Sequence, residues 1–113
     1  MNKHKITVRE TILKSFPAFK GIKVETSNDF KYLLAESRTG HWKISLKRAE
    51  KQNQIMIVSM MEPGKVIIAQ ILKIIKSKKV RGRYEVFFSD AKVDRLKIGN
   101  RQLVFTQNPI GYF

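Results

Sequence analysis

Five of the eight residues from Lys76 to Arg83 are basic: Lys76, Lys78, Lys79, Arg81 and Arg83. The run K-S-K-K-V-R-G-R contains no acid and leads directly into Y-E-V-F-F. Ammonium and guanidinium groups this dense, beside a glycine that permits a tight turn, are suited to holding phosphate oxygens. Tyr84 follows at once, and an aromatic ring beside guanidinium groups can stack a base while the cations hold its backbone. In an extended segment Arg83, Glu85 and Phe87 share one face, and Tyr84, Val86 and Phe88 share the other. Phe88 then reads as a core residue. Tyr84 serves equally well as core filler or as base platform.

Two further segments carry chemistry of the same kind. His41-Trp42-Lys43 follows a glycine turn. A single Trp in a basic chain can stack on a base, including one flipped out of a duplex, although a single Trp is more often the largest core residue. His41 can donate to a base or a phosphate, and Lys43 adds charge beside it. Gln107-Asn108-Pro109 offers amide donors and acceptors together, the combination that reads base edges. The same three residues also fit a plain turn fixed by Pro109. Met56, Met60 and Met61 read as core filler.

The whole chain shares the sign of these segments. Its 113 residues hold 23 Lys+Arg against 9 Asp+Glu, for a formal net charge of +14. A pI near 10.3 points to a polyanionic partner, RNA or DNA, or to an anionic surface. A membrane-surface role is disfavoured, since the basic residues do not line an amphipathic helix with a Trp/Leu face. The longest apolar stretch, Val66 to Ile75, is interrupted by Gln70 and Lys73 and falls short of a bilayer span. The N-terminus has charge but no apolar secretory core. There are no cysteines, which removes disulfides, thiolate catalysis and cysteine-ligated zinc. A cytoplasmic location is the expectation. Hydrophobic residues at 42% are enough for the core of one domain spanning residues 1–113.

Catalytic readings have less to stand on. Asp90-x-Lys92 with Glu85 and Asp94 is the nearest approach to a metal-dependent nuclease site, but such sites need convergent carboxylates. A metal-independent, toxin-like RNase would rely on His41 with a neighbouring Lys or Arg as base and oxyanion partner. Gly64-Lys65 lacks the glycine spacing and the following Ser/Thr of a phosphate loop. The expectation is therefore a binding protein without enzymatic activity, metal or cofactor. The nuclease and an interaction module for an acidic protein stand as alternatives.

These residues need elements to position them. Thr7-Val8-Arg9-Glu10 has the form of a capping box, and Val8, Ile12, Leu13 and Phe16 keep helical spacing, so a helix is predicted over residues 8–15 before Pro17. Ile22 to Glu25 alternates in and out like a strand. Phe30 to Glu36 is taken as its hairpin partner after the Ser27-Asn28-Asp29 turn. Arg38-Thr39-Gly40 is read as a turn, His41 to Ile44 as a short strand, and Ser45 as the cap of a brief helix over residues 46–51. Gln54 to Met60 and Lys65 to Lys76 are predicted strands, with Glu62-Pro63-Gly64 turning between them. The basic run then forms a hairpin tip turning at Gly82, with Arg83 to Phe88 returning. If Lys65 to Lys76 were helical instead, that hairpin would be lost. Ser89-Asp90 is read as the end of the returning strand, Val93 to Ile98 as a connector, Gly99-Asn100 as a turn and Gln102 to Thr106 as a last strand.

The second half also resembles a known superfamily. H-W-K-I-S-L-K-R-A-E, M-E-P-G-K-V-I-I-A-Q-I, R-G-R-Y-E-V-F-F and F-T-Q-N-P-I-G-Y are similar to the strand pattern of small PUA-like β-barrel proteins, which include EVE and ASCH domains. The similarity covers residues 40–113. It departs from ASCH domains in lacking their Gly-x-Lys-x-x-Glu-x-Arg signature. The resemblance implies a pseudo-barrel with a basic cleft that binds RNA or reads a modified base in DNA. The expected fold is thus α+β: a small, strongly curved antiparallel sheet or pseudo-barrel with one or two short helices, the N-terminal helix and hairpin of residues 1–37 packing on a barrel of residues 40–113. The expected nucleic-acid contacts are Lys76, Lys78, Lys79, Arg81, Arg83, Tyr84, Trp42, His41, Lys43 and Asn108.

Overall fold

The computed structural model describes residues 4–105 and 108–113. Gln107 and Thr106 lie outside the described residues. The elements, in chain order, are β1 (Lys5–Thr7), α1 (Val8–Ser15), β2 (Ile22–Thr26), α2 (Phe30–Glu36), β3 (Arg38–Trp42), α3 (Leu46–Ala49), β4 (Gln54–Ser59), β5 (Lys65–Lys76), β6 (Tyr84–Arg95), β7 (Gln102–Val104) and β8 (Ile110–Tyr112). Six strands form one sheet in the order β3-β6-β5-β4-β2-β8. β1 and β7 form a separate parallel pair.

The class is α+β, as expected, but three details of the expectation need correction. The large sheet is mixed rather than antiparallel, because β2 runs parallel to β4. It has edge strands β3 and β8 and does not close into a barrel. Three helices are present among the described residues, where one or two were expected.

Both sheet faces are covered, which explains the run Ile55-Met56-Ile57-Val58 with every side chain buried. Ile55 and Ile57 join Ile22, Val24, Ile67, Val86 and Phe88 under α2 and Trp42. Met56 and Val58 join Val8 and Ile12 of α1, Ile6 of β1 and Leu103 of β7. Met60 and Met61 are exposed, Met61 by 64%, so only Met56 serves as the core filler expected of all three.

The N-terminal helix forms as its capping box dictates: the Thr7 hydroxyl accepts from the Glu10 N–H, and the Glu10 carboxylate accepts from the Thr7 N–H. The expected hairpin strand over residues 30–36 is instead α2. Asp29 caps it by accepting from the Tyr32 N–H at 2.8 Å, and the Glu62 carboxylate accepts from the Phe30 N–H. Phe30 and Leu33 then fall on one buried face at helical spacing. β2 therefore finds its partners in β4 and β8. Lys23 and Glu25, read as the outward face of β2, are almost fully buried and pair with each other.

The predicted β5–β6 hairpin is present. Its strands run twelve residues each, about 40 Å at ~3.3 Å per residue, and account for the 47 Å long axis of the molecule. The expected break at Ser89-Asp90 is a bulge. Asp90 adopts φ +53°, the register shifts opposite Ile68 and Gln70, and β6 continues to Arg95. The connector expected from Val93 thus begins only after Arg95. At the other end Ser77 N–H bonds to the Arg83 carbonyl, and Gly82 turns the chain with φ +79°. β3 begins at Arg38, inside the expected turn, and ends at Trp42, two residues short of the expected strand end.

A candidate nucleic-acid interface at the hairpin tip

β3 lies along the returning arm of the hairpin, with Trp42 opposite Tyr84. This pairing brings the His41-Trp42-Lys43 segment to the basic run. β8, on the far edge of the sheet, and the loop before it bring Asn108 to the same end of the molecule. The expected contacts do not share one groove. They line three adjoining cavities.

The first cavity, about 420 Å³, is lined by Trp42, Lys43, Ser45, Arg48, Arg83, Asn108, Pro109, Ile110 and Tyr112. Four expected residues meet here: Trp42, Lys43, Arg83 and Asn108. Three cationic side chains and no carboxylate line the space. Arg48 lies 4.0 Å over the Tyr112 ring, and the Tyr112 hydroxyl accepts from the Ser45 N–H. Trp42 is only 8% exposed and its indole N–H donates to Thr39 Oγ1 at 3.1 Å, so its polar end is already committed. It belongs to the core and presents one edge to the cavity. Asn108 is exposed, and its backbone carbonyl accepts from Lys23 Nζ.

A second cavity, about 450 Å³, is lined by Lys76, Ser77, Arg81, Gly82, Arg83 and Tyr84. Tyr84 is half-buried and packs on the core while one side borders this space. Tyr84 thus packs on the core and leaves one side at the cavity wall. Arg83 lines the first two cavities, and its Nη1 donates to the His41 carbonyl at 3.2 Å.

A third cavity, about 270 Å³, is lined by His41, Lys78 and Lys79 with Asn28, Tyr32, Arg38, Thr39, Gly40 and Glu85. His41 Nδ1 hydrogen-bonds Ser77 Oγ. That oxygen also accepts from the Lys79 and Val80 N–H groups at 3.1 and 3.0 Å. With both lone pairs engaged, the Ser77 hydroxyl donates its proton to Nδ1. The Ser77–His41 pair thus ties the tip to β3. The carboxylates of the nuclease alternative do not converge either. Glu85 and Asp94 stand nine residues apart on one strand, roughly 30 Å. Among the described residues no cluster of three His, Asp or Glu side chains could hold a metal ion.

Four of the nine acids serve local structure. Glu10 and Asp29 cap helices, Glu62 holds the start of α2, and Glu25 pairs with Lys23. Ion pairs among the described residues engage only two cations, Lys23 and Arg38. The exposed tip cations Lys76, Lys78, Lys79, Arg81 and Arg83 form none. No protein-family model, characterised protein or solved structure matches this chain.

Sequence reading missed Arg48, Tyr112, Tyr32 and Arg38. The Ser45 cap was visible and placed Arg48 on a short helix, but nothing local tied that helix to β8. Tyr112 and Tyr32 depended on β8 and α2, neither of which was recognised. No helix of the described residues is long and apolar enough to cross a membrane.

Proposed function

We propose that the protein is a nucleic-acid-binding module that holds a polynucleotide at the tip of its long hairpin. The carrying observation is the convergence of Arg83, Lys43 and Arg48 with Asn108 and Tyr112 around one carboxylate-free cavity, flanked by tip cations that make no ion pair. The cavity volume falls in the range of small-ligand sites, so a single base or nucleotide fits it. Lys76, Lys78, Lys79 and Arg81 would hold phosphates by charge, each releasing counterions. Arg48 and Tyr112 would offer stacking surface and the Asn108 amide would offer base-edge contacts. Tyr84 supplies a second, smaller aromatic edge.

The resemblance of residues 40–113 to PUA-like domains supports the same reading, with the present sheet as an unclosed relative of that barrel. A flipped or modified base is then the occupant best suited to the first cavity. A cytoplasmic location belongs to the same proposal.

The test is charge reversal at exposed positions that bury nothing. Lys78→Glu, Lys79→Glu and Arg81→Glu together should fold as the parent does and lose the nucleic acid carried through a low-salt purification, read as absorbance ratio. Equal carry-over by parent and variant would remove the tip from the interface.

A further inference from the structure

The third cavity differs from the other two in containing an acid. Glu85 lines it together with the cations Arg38, Lys78 and Lys79, His41, and the exposed ring of Tyr32. Several features mark this carboxylate as built in. Gly40 leaves room for it, since a Cβ at residue 40 would come within 2.8 Å of Glu85 Cγ. The Glu85 side chain is 15% exposed, and Arg38 approaches it at 3.7 Å while also bonding Glu36 at 3.2 Å. A 3.7 Å approach is an ion pair but too long for a good hydrogen bond, so the carboxylate retains capacity to accept from a ligand. Tyr32 is 50% exposed on the first turn of α2, an aromatic surface at the mouth of a basic cavity.

We infer that this cavity is a second nucleotide subsite, selective for bases that carry an exocyclic amino group, with Glu85 as the reading residue. The inference rests on the nucleic-acid reading of the tip and deepens it. An ionised carboxylate only accepts hydrogen bonds. It pairs with the amino group of cytosine and opposes the carbonyl that uracil presents at the same position. Tyr32 stacks the base, while Lys78 and Lys79 hold its phosphate. Consecutive residues at the end of β3 and just after it line the two cavities: Gly40 and His41 this subsite, Trp42 and Lys43 the first. Two bases held in these two separate cavities cannot be stacked or paired with each other. The substrate class is therefore single-stranded polynucleotide.

The experiment compares labelled oligocytidylate and oligouridylate of equal length, as RNA and as DNA analogues, by fluorescence anisotropy at low salt. Both homopolymers carry the same backbone, so the ratio of their affinities isolates the base-edge contact. The wild type should prefer the cytosine oligomer by about tenfold. Glu85→Gln, whose amide can donate as well as accept, should bring the ratio close to one while both oligomers still bind. Tyr32→Ala should weaken both about equally. A wild-type ratio near one, or a preference that Glu85→Gln leaves intact, overturns the inference while leaving the tip as a polyanion site. Duplex DNA binding as tightly as either single strand overturns it as well. Failure of the wild type to bind any of these oligomers overturns the nucleic-acid reading itself.

Discussion

Arg83 links the parts of the proposed site. It borders two cavities and donates to the His41 carbonyl, which fixes β3 against the tip. Arg83→Ala should weaken single-strand binding and also reduce the steepness of its salt dependence by about 0.7 in log–log slope, the share of one phosphate contact. Arg83→Lys should recover the slope, since the ammonium keeps the charge. A different residue pair governs stability. The Lys23–Glu25 ion pair is buried beneath the loop that carries Asn108, and Lys23 Nζ also donates to the Asn108 carbonyl. Lys23→Met should cost about 3–5 kcal/mol in chemical denaturation, because it takes the cation away from a buried carboxylate. Adding Glu25→Leu should return much of that loss. The alternation of Ile22-Lys23-Val24-Glu25 was readable in the sequence. The burial of its polar half was not, because it depends on β8 and its preceding loop, more than eighty residues away.

Local signals decided which elements could be read. Thr7 and Glu10 announce α1 within four residues, and Ser45 announces α3; both caps form as spaced. Hydrogen bonding from Thr7, side chain first and then backbone N–H, holds the Glu10 carboxyl below its ordinary value of 4.5. Its contribution to stability is thus complete above that value and lost as pH falls through the lowered one. Glu10→Gln should flatten this part of the acid limb in thermal unfolding followed from neutral pH to pH 3. Asp29 carries a similar cap. It was read as a turn residue because the aromatic, apolar string after it has strand-like composition. The spacing of Phe30 and Leu33 was the better guide. Asp29→Ala should cost about 1 kcal/mol by removing the bond to the Tyr32 N–H. The long hairpin was legible because Pro63-Gly64 marks where its first strand begins and Gly82 marks the turn at its tip. The bulge at Asp90 was hidden, since the same Ser-Asp pair marks both an ended strand and a kinked one.

At the scale of the molecule, charge and shape coincide. The β5–β6 hairpin forms the long axis, and the acid-free basic run is its tip. Few carboxylates are placed to neutralise it, because most of them cap, pair or brace elsewhere. The charge imbalance was plain from composition. The division of the expected contacts among three cavities was not, because it depends on where β3 and β8 lie as the two edges of the sheet. An open sheet leaves those edges and their loops available to a ligand, where a closed barrel would pair them.

In the proposed mode of binding the tip cations neutralise phosphates and release the counterions condensed on them. This mode is tested most directly by measuring Kd for a single-stranded oligonucleotide against salt between about 50 and 200 mM. Five tip cations predict a log–log slope of about −3.5 and a loss of affinity near 100-fold across that range. Affinity that stays constant over the same interval would contradict the account.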